Sequence, residues 1–162
     1  MSVNRYRPHL YVIPEDDADR QIADGFVLHP RVAARQVQVV EPAGGWARVL
    51  ETFNKEYVPL LQQNAYTHVV MLIDFDGKHL GRRANFEAEI PEALRTRVFV
   101  IGPRDTPVSL KQSLGRGYED IGRLLADDCD GDLKETWDHE LLRHNEADRL
   151  RLLQSVKPFL FD

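Results

Sequence analysis

Val69-Val70-Met71-Leu72-Ile73-Asp74-Phe75-Asp76-Gly77 is a five-residue apolar run that stops at two carboxylates one residue apart. A run this short, rich in β-branched residues and ending at glycine, reads as a strand buried on both faces. The two acids at its exit then belong at the carboxyl edge of a sheet. In open α/β sheets that edge is where ligands bind, and Asp-x-Asp offers hard oxygen ligands for one Mg²⁺. Asp-Gly is also ordinary turn chemistry, so the acids equally suit a strand that ends in a polar turn. A second acidic cluster at another strand exit favours the metal.

Four segments read as strands: Leu10 to Pro14, Gln36 to Val40, Val69 to Ile73 and Arg97 to Ile101. Helical spacing lies between them. Asp16 to Ala23 opens with acids, which suit the positive end of a helix dipole. Gly45 to Gln63 carries Trp46, Val49, Leu50, Phe53, Tyr57, Leu60 and Leu61, mostly at three- and four-residue steps, the stripe of a helix packed on a sheet. Pro59 is expected to kink that helix or end it early. Phe86 to Arg95 is a weaker helix. Strand and helix in alternation predict an α/β fold: three layers, a mainly parallel four-stranded sheet with crossover helices (Rossmann-like or Toprim-like), and further helices at the C-terminus. Those are Tyr118 to Ala126 and Lys134 to Val156, the second burying Trp137, Leu141, Leu142, Leu150, Leu152 and Leu153. The apolar ending Val156 to Asp162 is expected to dock on the core.

The chain has 162 residues and reads as one domain, with a core at about 9–105 and a helical part at about 106–162. No apolar run is long enough for a membrane span, and the start of the chain lacks a signal-peptide core. One cysteine, Cys129, excludes an intramolecular disulfide, which fits a cytoplasmic protein. It sits among Asp127, Asp128 and Asp130, whose charges disfavour a thiolate, and is read as structural. The net charge of −5 argues against a general nucleic-acid coat. Between Gly77 and Arg104, however, six basic residues stand against three acids. Lys78, Arg82 and Arg83 in that segment are candidate phosphate contacts, and through them nucleic acid is a candidate partner.

The first strand exits into Pro14-Glu15-Asp16-Asp17-Ala18-Asp19-Arg20. If it lies beside the Asp74 strand, Glu15 projects from the same edge, and Glu15, Asp74 and Asp76 converge on metal. One or two Mg²⁺, or Mn²⁺, held there would bind a phosphodiester and activate water. Capping of the following helix accounts for Asp16, Asp17 and Asp19 without any function. It explains Glu15 least well.

This arrangement resembles the Toprim domain of topoisomerases, bacterial primases and OLD-type nucleases, over about residues 9–105. In that family a Glu after the first strand and an Asp-x-Asp after a later one chelate Mg²⁺. Glu15 matches the former, with Asp19 at the spacing of the family's frequent second acid, and Asp74 and Asp76 match the latter. Asp16 stands where the family usually carries Gly. The resemblance implies Glu15 and Asp74 as catalytic residues, Glu15, Asp74 and Asp76 as metal ligands, and Asp17 and Asp19 as secondary candidates. It implies a Mg²⁺-dependent, nuclease-like, phosphodiester-handling domain. Leu72 to Gly77 also looks like the nucleophile loop of haloacid-dehalogenase phosphatases, with Asp74 attacking phosphorus and Thr106, Lys111 and Asp127 or Asp128 completing the site. The acids further resemble the pocket of phosphoacceptor receivers, without the later hydroxyl and lysine. A different class of reading is a non-catalytic α/β interaction subunit, binding a protein partner or a second copy of itself through the apolar C-terminus.

Several signals point nowhere. His139 and His144 are five residues apart, about 140° on a helical wheel, and do not face one metal. Asp128 to His139 lacks the Gly and Glu of a calcium loop, and Gly115-Arg116-Gly117 lacks the third glycine of a dinucleotide fingerprint. Gly44-Gly45 before the Trp46 helix suits either phosphate-binding amides or a tight strand-to-helix turn.

Overall fold

A computed structural model describes residues 2–161. Four strands, β1 (His9–Pro14), β2 (Val37–Val39), β3 (Thr67–Leu72) and β4 (Val98–Ile101), form one parallel sheet in the order β2-β1-β3-β4. Registers run Tyr11 opposite Val69, Tyr11 opposite Gln38 and Val69 opposite Val98. Alternation along each strand divides the side chains between two cores. Leu10, Val12, Val70, Leu72, Phe99 and Ile101 face one side; Tyr11, Ile13, Val69, Met71, Val98 and Val100 face the other. Helices cover both sides, which gives the three-layer α/β architecture that the uninterrupted apolar strands predict.

On the first face lie α1 (Asp17–Val27) and α6 (Tyr118–Asp130). They cross at two glycines: a Cβ on Gly25 would stand 2.0 Å from Glu119 O, and one on Gly122 1.9 Å from Ile22 O. On the second face lie α2 (Trp46–Thr52) and α3 (Val58–Gln63), joined by one π-helical turn over Phe53–Tyr57. Pro59 does not end the helix early, and helical structure continues to Gln63. The wider turn, in which Val58 N–H bonds to Phe53 O, absorbs the hydrogen bond that proline cannot donate and keeps Phe53, Tyr57 and Leu61 buried. The segment after β3 forms α4 (His79–Glu89) and a 3₁₀ turn (Glu92–Arg97), so the weak helical signal at Phe86 to Arg95 belongs to two elements.

After β4 come α5 (Pro107–Leu114), α6, and then turns rather than the long helix expected from Lys134. The buried carboxylate of Asp128 accepts the backbone N–H groups of Thr136 (2.8 Å) and Trp137 (3.2 Å). A regular helix would place Trp137 and Leu142 about 140° apart; the turns bury Trp137, Leu141 and Leu142 together. Helix resumes only as α7 (Glu146–Ser155) and α8 (Lys157–Leu160), and Leu150 stays exposed. The chain end docks as expected: Ala33 N–H bonds to Leu160 O at 2.7 Å, and Phe161 bridges Val32. Among the described residues no helix is long and apolar enough to cross a membrane.

Candidate functional site: four carboxylates at the β1–β3 edge

From β1 the chain crosses to β2 on one side and then to β3 on the other, so the crevice where connections diverge opens at the carboxyl ends of β1 and β3. That switch point is the usual ligand site of a doubly wound sheet. Glu15 and Asp74 stand on its two lips. Glu15 N–H bonds to Leu72 O at 2.9 Å, extending the ladder, and Asp74 N–H donates to Glu15 Oε1 at 2.9 Å. The β2–α2 loop closes the third side, where Gly44 and Gly45 N–H both bond to the Glu15 carbonyl (2.9 and 3.2 Å). Both glycines have positive φ (92° and 128°), a conformation side chains disfavour. These amides therefore make a strand-to-helix turn and are spent on Glu15 rather than open to phosphate.

Asp16 is the N-cap of α1, its Oδ1 accepting Asp19 N–H at 3.0 Å. Glu15, Asp16 and Asp74 each present one carboxylate oxygen, and these atoms all lie within 4.8 Å of one another. Oxygens bound to one hard cation at about 2.0–2.6 Å span such separations. Asp19, one turn into α1 on the face that carries Ile22 and Ala23, is 0% exposed. Both Asp19 oxygens and Asp74 Oδ1 are buried without a hydrogen-bond partner. Buried carboxylate oxygens in native proteins are almost always paired, so Asp19 and Asp74 call for a shared proton or a cation.

The electrostatics agree. Burial pushes the Asp74 carboxyl up to about 8, with the charges of Asp16 and Glu15 adding to it. Asp19 is raised well above the carboxylate range by burial and by Asp74 beside it. Glu15 is raised by burial, an effect eased by the Asp74 N–H. Arg82 is the cation that bears on Glu15, and it is engaged elsewhere.

Asp76 lies apart from the three-carboxylate group. It adopts a left-handed φ of 51°, and its Oδ2 accepts Arg82 Nη1 at 2.7 Å, while the same nitrogen donates to Asp74 O at 2.8 Å. Asp16 takes the place expected of Asp76. The turn explains this, because Asp76 N–H and Gly77 N–H bond to Asp105 O and Arg104 O and swing the side chain toward α4. Arg82 thus secures the Asp74 loop instead of facing open solvent. Arg83 points away from the edge: it donates to Val100 O (2.7 Å), Asn145 Oδ1 (3.0 Å) and Asp148 Oδ2 (3.3 Å), an internal brace between α4, β4 and α7. Lys78 is exposed next to Gly77. Asp17 is exposed and paired with Arg20 and Gln21 as a first-turn helix acid.

The other motifs are occupied. Thr106 caps α5 in a reciprocal pair with Ser109. Lys111 lies over the Tyr118 ring, Asp127 bonds His29, and Asp128 holds the 136–137 turn. His139 bonds Ser113; His144 donates to Gly102 O and is depressed to about 4 by burial and by Arg83. Burial, more than the neighbouring acids, raises the Cys129 thiol to about 12.

Two residues at the site escaped sequence reasoning. Asp16 reads as a helix cap, and its adjacency to Glu15 is the one sequence signal for its place in the group. Trp46, assigned to the buried stripe, stands at the rim of the site with Arg82 over its ring. No protein-family model, curated protein or solved structure matches the chain.

Proposed function

We propose that this protein is a divalent-cation-dependent enzyme of the Toprim kind acting on phosphodiesters, with Mg²⁺ or Mn²⁺ held by Glu15, Asp16 and Asp74. One observation carries the reading: three carboxylate oxygens within 4.8 Å of one another at the switch point, with Asp74 Oδ1 buried and unpaired beside them. The donor set is all oxygen, the chemistry Mg²⁺ and Mn²⁺ prefer. A cation in such a site polarises a phosphoryl oxygen and lowers the pKa of attacking water.

The protein's own groups supply the rest. The Asp74 N–H holds Glu15 in place, and the N-terminal end of α1 favours negative charge beside Asp16. Exposed Lys78 is available to a phosphate, whereas Arg82 and Arg83 are committed to Asp76 and Asp148. The test is calorimetric titration with Mn²⁺, followed by hydrolysis assays on single-stranded DNA, duplex DNA and RNA with Mg²⁺ or Mn²⁺. Wild type should bind the metal and hydrolyse at least one polymer, and Glu15→Gln and Asp74→Asn should lose both properties. A wild-type protein that neither binds Mn²⁺ nor hydrolyses any of the three polymers would overturn the proposal.

A further inference from the structure

The geometry points to Trp46 as a stacking platform for an unpaired nucleobase, which makes single-stranded nucleic acid the substrate class of the carboxylate site. This rests on the reading of that site as one for phosphodiesters. Trp46 is the first residue of α2, and the two residues before it donate their N–H groups to the Glu15 carbonyl, so the indole is tied by backbone to a metal-ligand candidate. Val49, Phe53, Tyr57 and Leu61 of the same stripe are buried, yet Trp46 remains 36% exposed. Single exposed apolar residues are normal; this one is distinguished by how it is held. Arg82 Cζ lies 4.9 Å from the ring centroid, and the same guanidinium is fixed by Asp74 O and Asp76 Oδ2. Phe86 packs at 6.3 Å between centroids. The indole is thus presented rigidly, at a low entropic cost for stacking.

Its surroundings suit a strand. Arg48, exposed and without an ion pair among the described residues, reaches back along the β2–α2 loop, its Nη1 3.5 Å from where a Cβ on Gly44 would stand. Lys78 is exposed on the β3–α4 loop. Arg82 over the ring, with exposed Arg48 two residues after Trp46 on the same helix, pairs an aromatic face with cations, the recurrent elements of single-strand binding. The other prominent exposed aromatics, Tyr6 and Tyr66, precede β1 and β3 and so lie at the opposite, amino edge of the sheet. In a duplex the base faces are stacked on one another, so only an unpaired base offers one to Trp46.

The test uses the full chain with Ca²⁺ to neutralise the carboxylates. The probes are a twelve-nucleotide oligo(dT) strand, an abasic strand with the same phosphates, and a duplex. Trp137 is buried, so quenching of tryptophan emission reports Trp46. Oligo(dT) should quench it and bind about 5- to 150-fold more tightly than the abasic strand, the range for one stacked base. By fluorescence anisotropy of a labelled strand, Trp46→Ala should remove that advantage and Trp46→Phe should keep most of it, with unfolding curves confirming that both variants fold. Equal binding of the abasic strand, equal binding of the duplex, or undiminished binding by Trp46→Ala would overturn the platform. If metal-dependent hydrolysis proceeds with those results, the phosphodiester reading stands and the platform alone fails. If oligo(dT) quenches Trp46 while the wild type neither binds Mn²⁺ nor hydrolyses, the platform stands and the metal reading fails.

Discussion

Glu15 Oε1 accepts the backbone N–H of Asp74 at 2.9 Å, so one candidate metal ligand holds the peptide that carries another. The bond joins the exits of two strands that are 59 residues apart in sequence and adjacent in the sheet. It gives Glu15 a structural role beside its proposed ligand role, and different substitutions separate the two.

Glu15→Ala leaves the buried Asp74 N–H without an acceptor and should cost about 1–3 kcal/mol. Glu15→Gln keeps an acceptor oxygen and removes the charge, so its stability should stay within about 1 kcal/mol of wild type while Mn²⁺ affinity is lost. Urea unfolding and calorimetric titration measure the two effects; equal destabilisation by both variants would contradict the assignment of the bond.

Asp16, rather than Asp76, lies with Glu15 and Asp74 in the three-carboxylate group, and the proposed ligand set follows that geometry. Asp16→Ala should weaken Mn²⁺ binding at least tenfold, about 1.4 kcal/mol. Asp76→Ala should change it far less, because Asp76 is paired with Arg82 outside the three-carboxylate group. Titration of both variants decides, and a larger loss from Asp76→Ala would restore the Asp-x-Asp pair as the ligand set.

Metal-free stability should fall as pH rises toward 8. The Asp74 carboxyl moves from its ordinary 3.8 up to about 8 on folding, chiefly through burial. The folded state therefore binds more protons than the unfolded state between those values, and stability declines through that window. His144, lowered from 6.5 to about 4, acts oppositely, adding stability as pH rises from 4 to 6.5. Above pH 6.5 its effect is complete and the fall from Asp74 remains. Melting temperatures from pH 6.5 to 8.5 should decline in wild type and decline less steeply in Asp74→Asn, where the burial that raises Asp19 remains, and Mn²⁺ should reduce the decline. A wild-type curve that rises across this range would contradict the shift.

Gly122→Ala should destabilise the fold by more than about 3 kcal/mol, an overpacking cost at the upper end for a single methyl. The added Cβ would meet Ile22 O at 1.9 Å, a backbone atom that moves only if α1 and α6 separate. Since α1 carries Asp16 and Asp19, the same variant should weaken Mn²⁺ binding, whereas Gly81→Ala, with open space around it, should do neither. Chemical denaturation compares the pair.

Much of this architecture is legible in the chain because strand burial leaves a local trace. Val69 to Ile73 and Val98 to Ile101 are apolar without alternation, and only a sheet covered on both faces requires that. The acids at the strand exits are equally visible, since a strand's end fixes where the next residues go. The long helix expected from Lys134 shows where local pattern fails: the Asp128 carboxylate, contributed by another helix, takes the N–H groups of Thr136 and Trp137 and sets turns in its place.

The layers, the four strands and the acids at two strand exits are thus readable from periodicity and short-range chain geometry. The adjacency of β1 and β3, the grouping of Asp16 rather than Asp76 with Glu15 and Asp74, the internal bracing by Arg83 and the exposure of Trp46 emerge only in the folded chain. Each of these depends on hydrogen bonds or charges supplied by residues distant in the chain. Spacing along the chain carries no record of such partners.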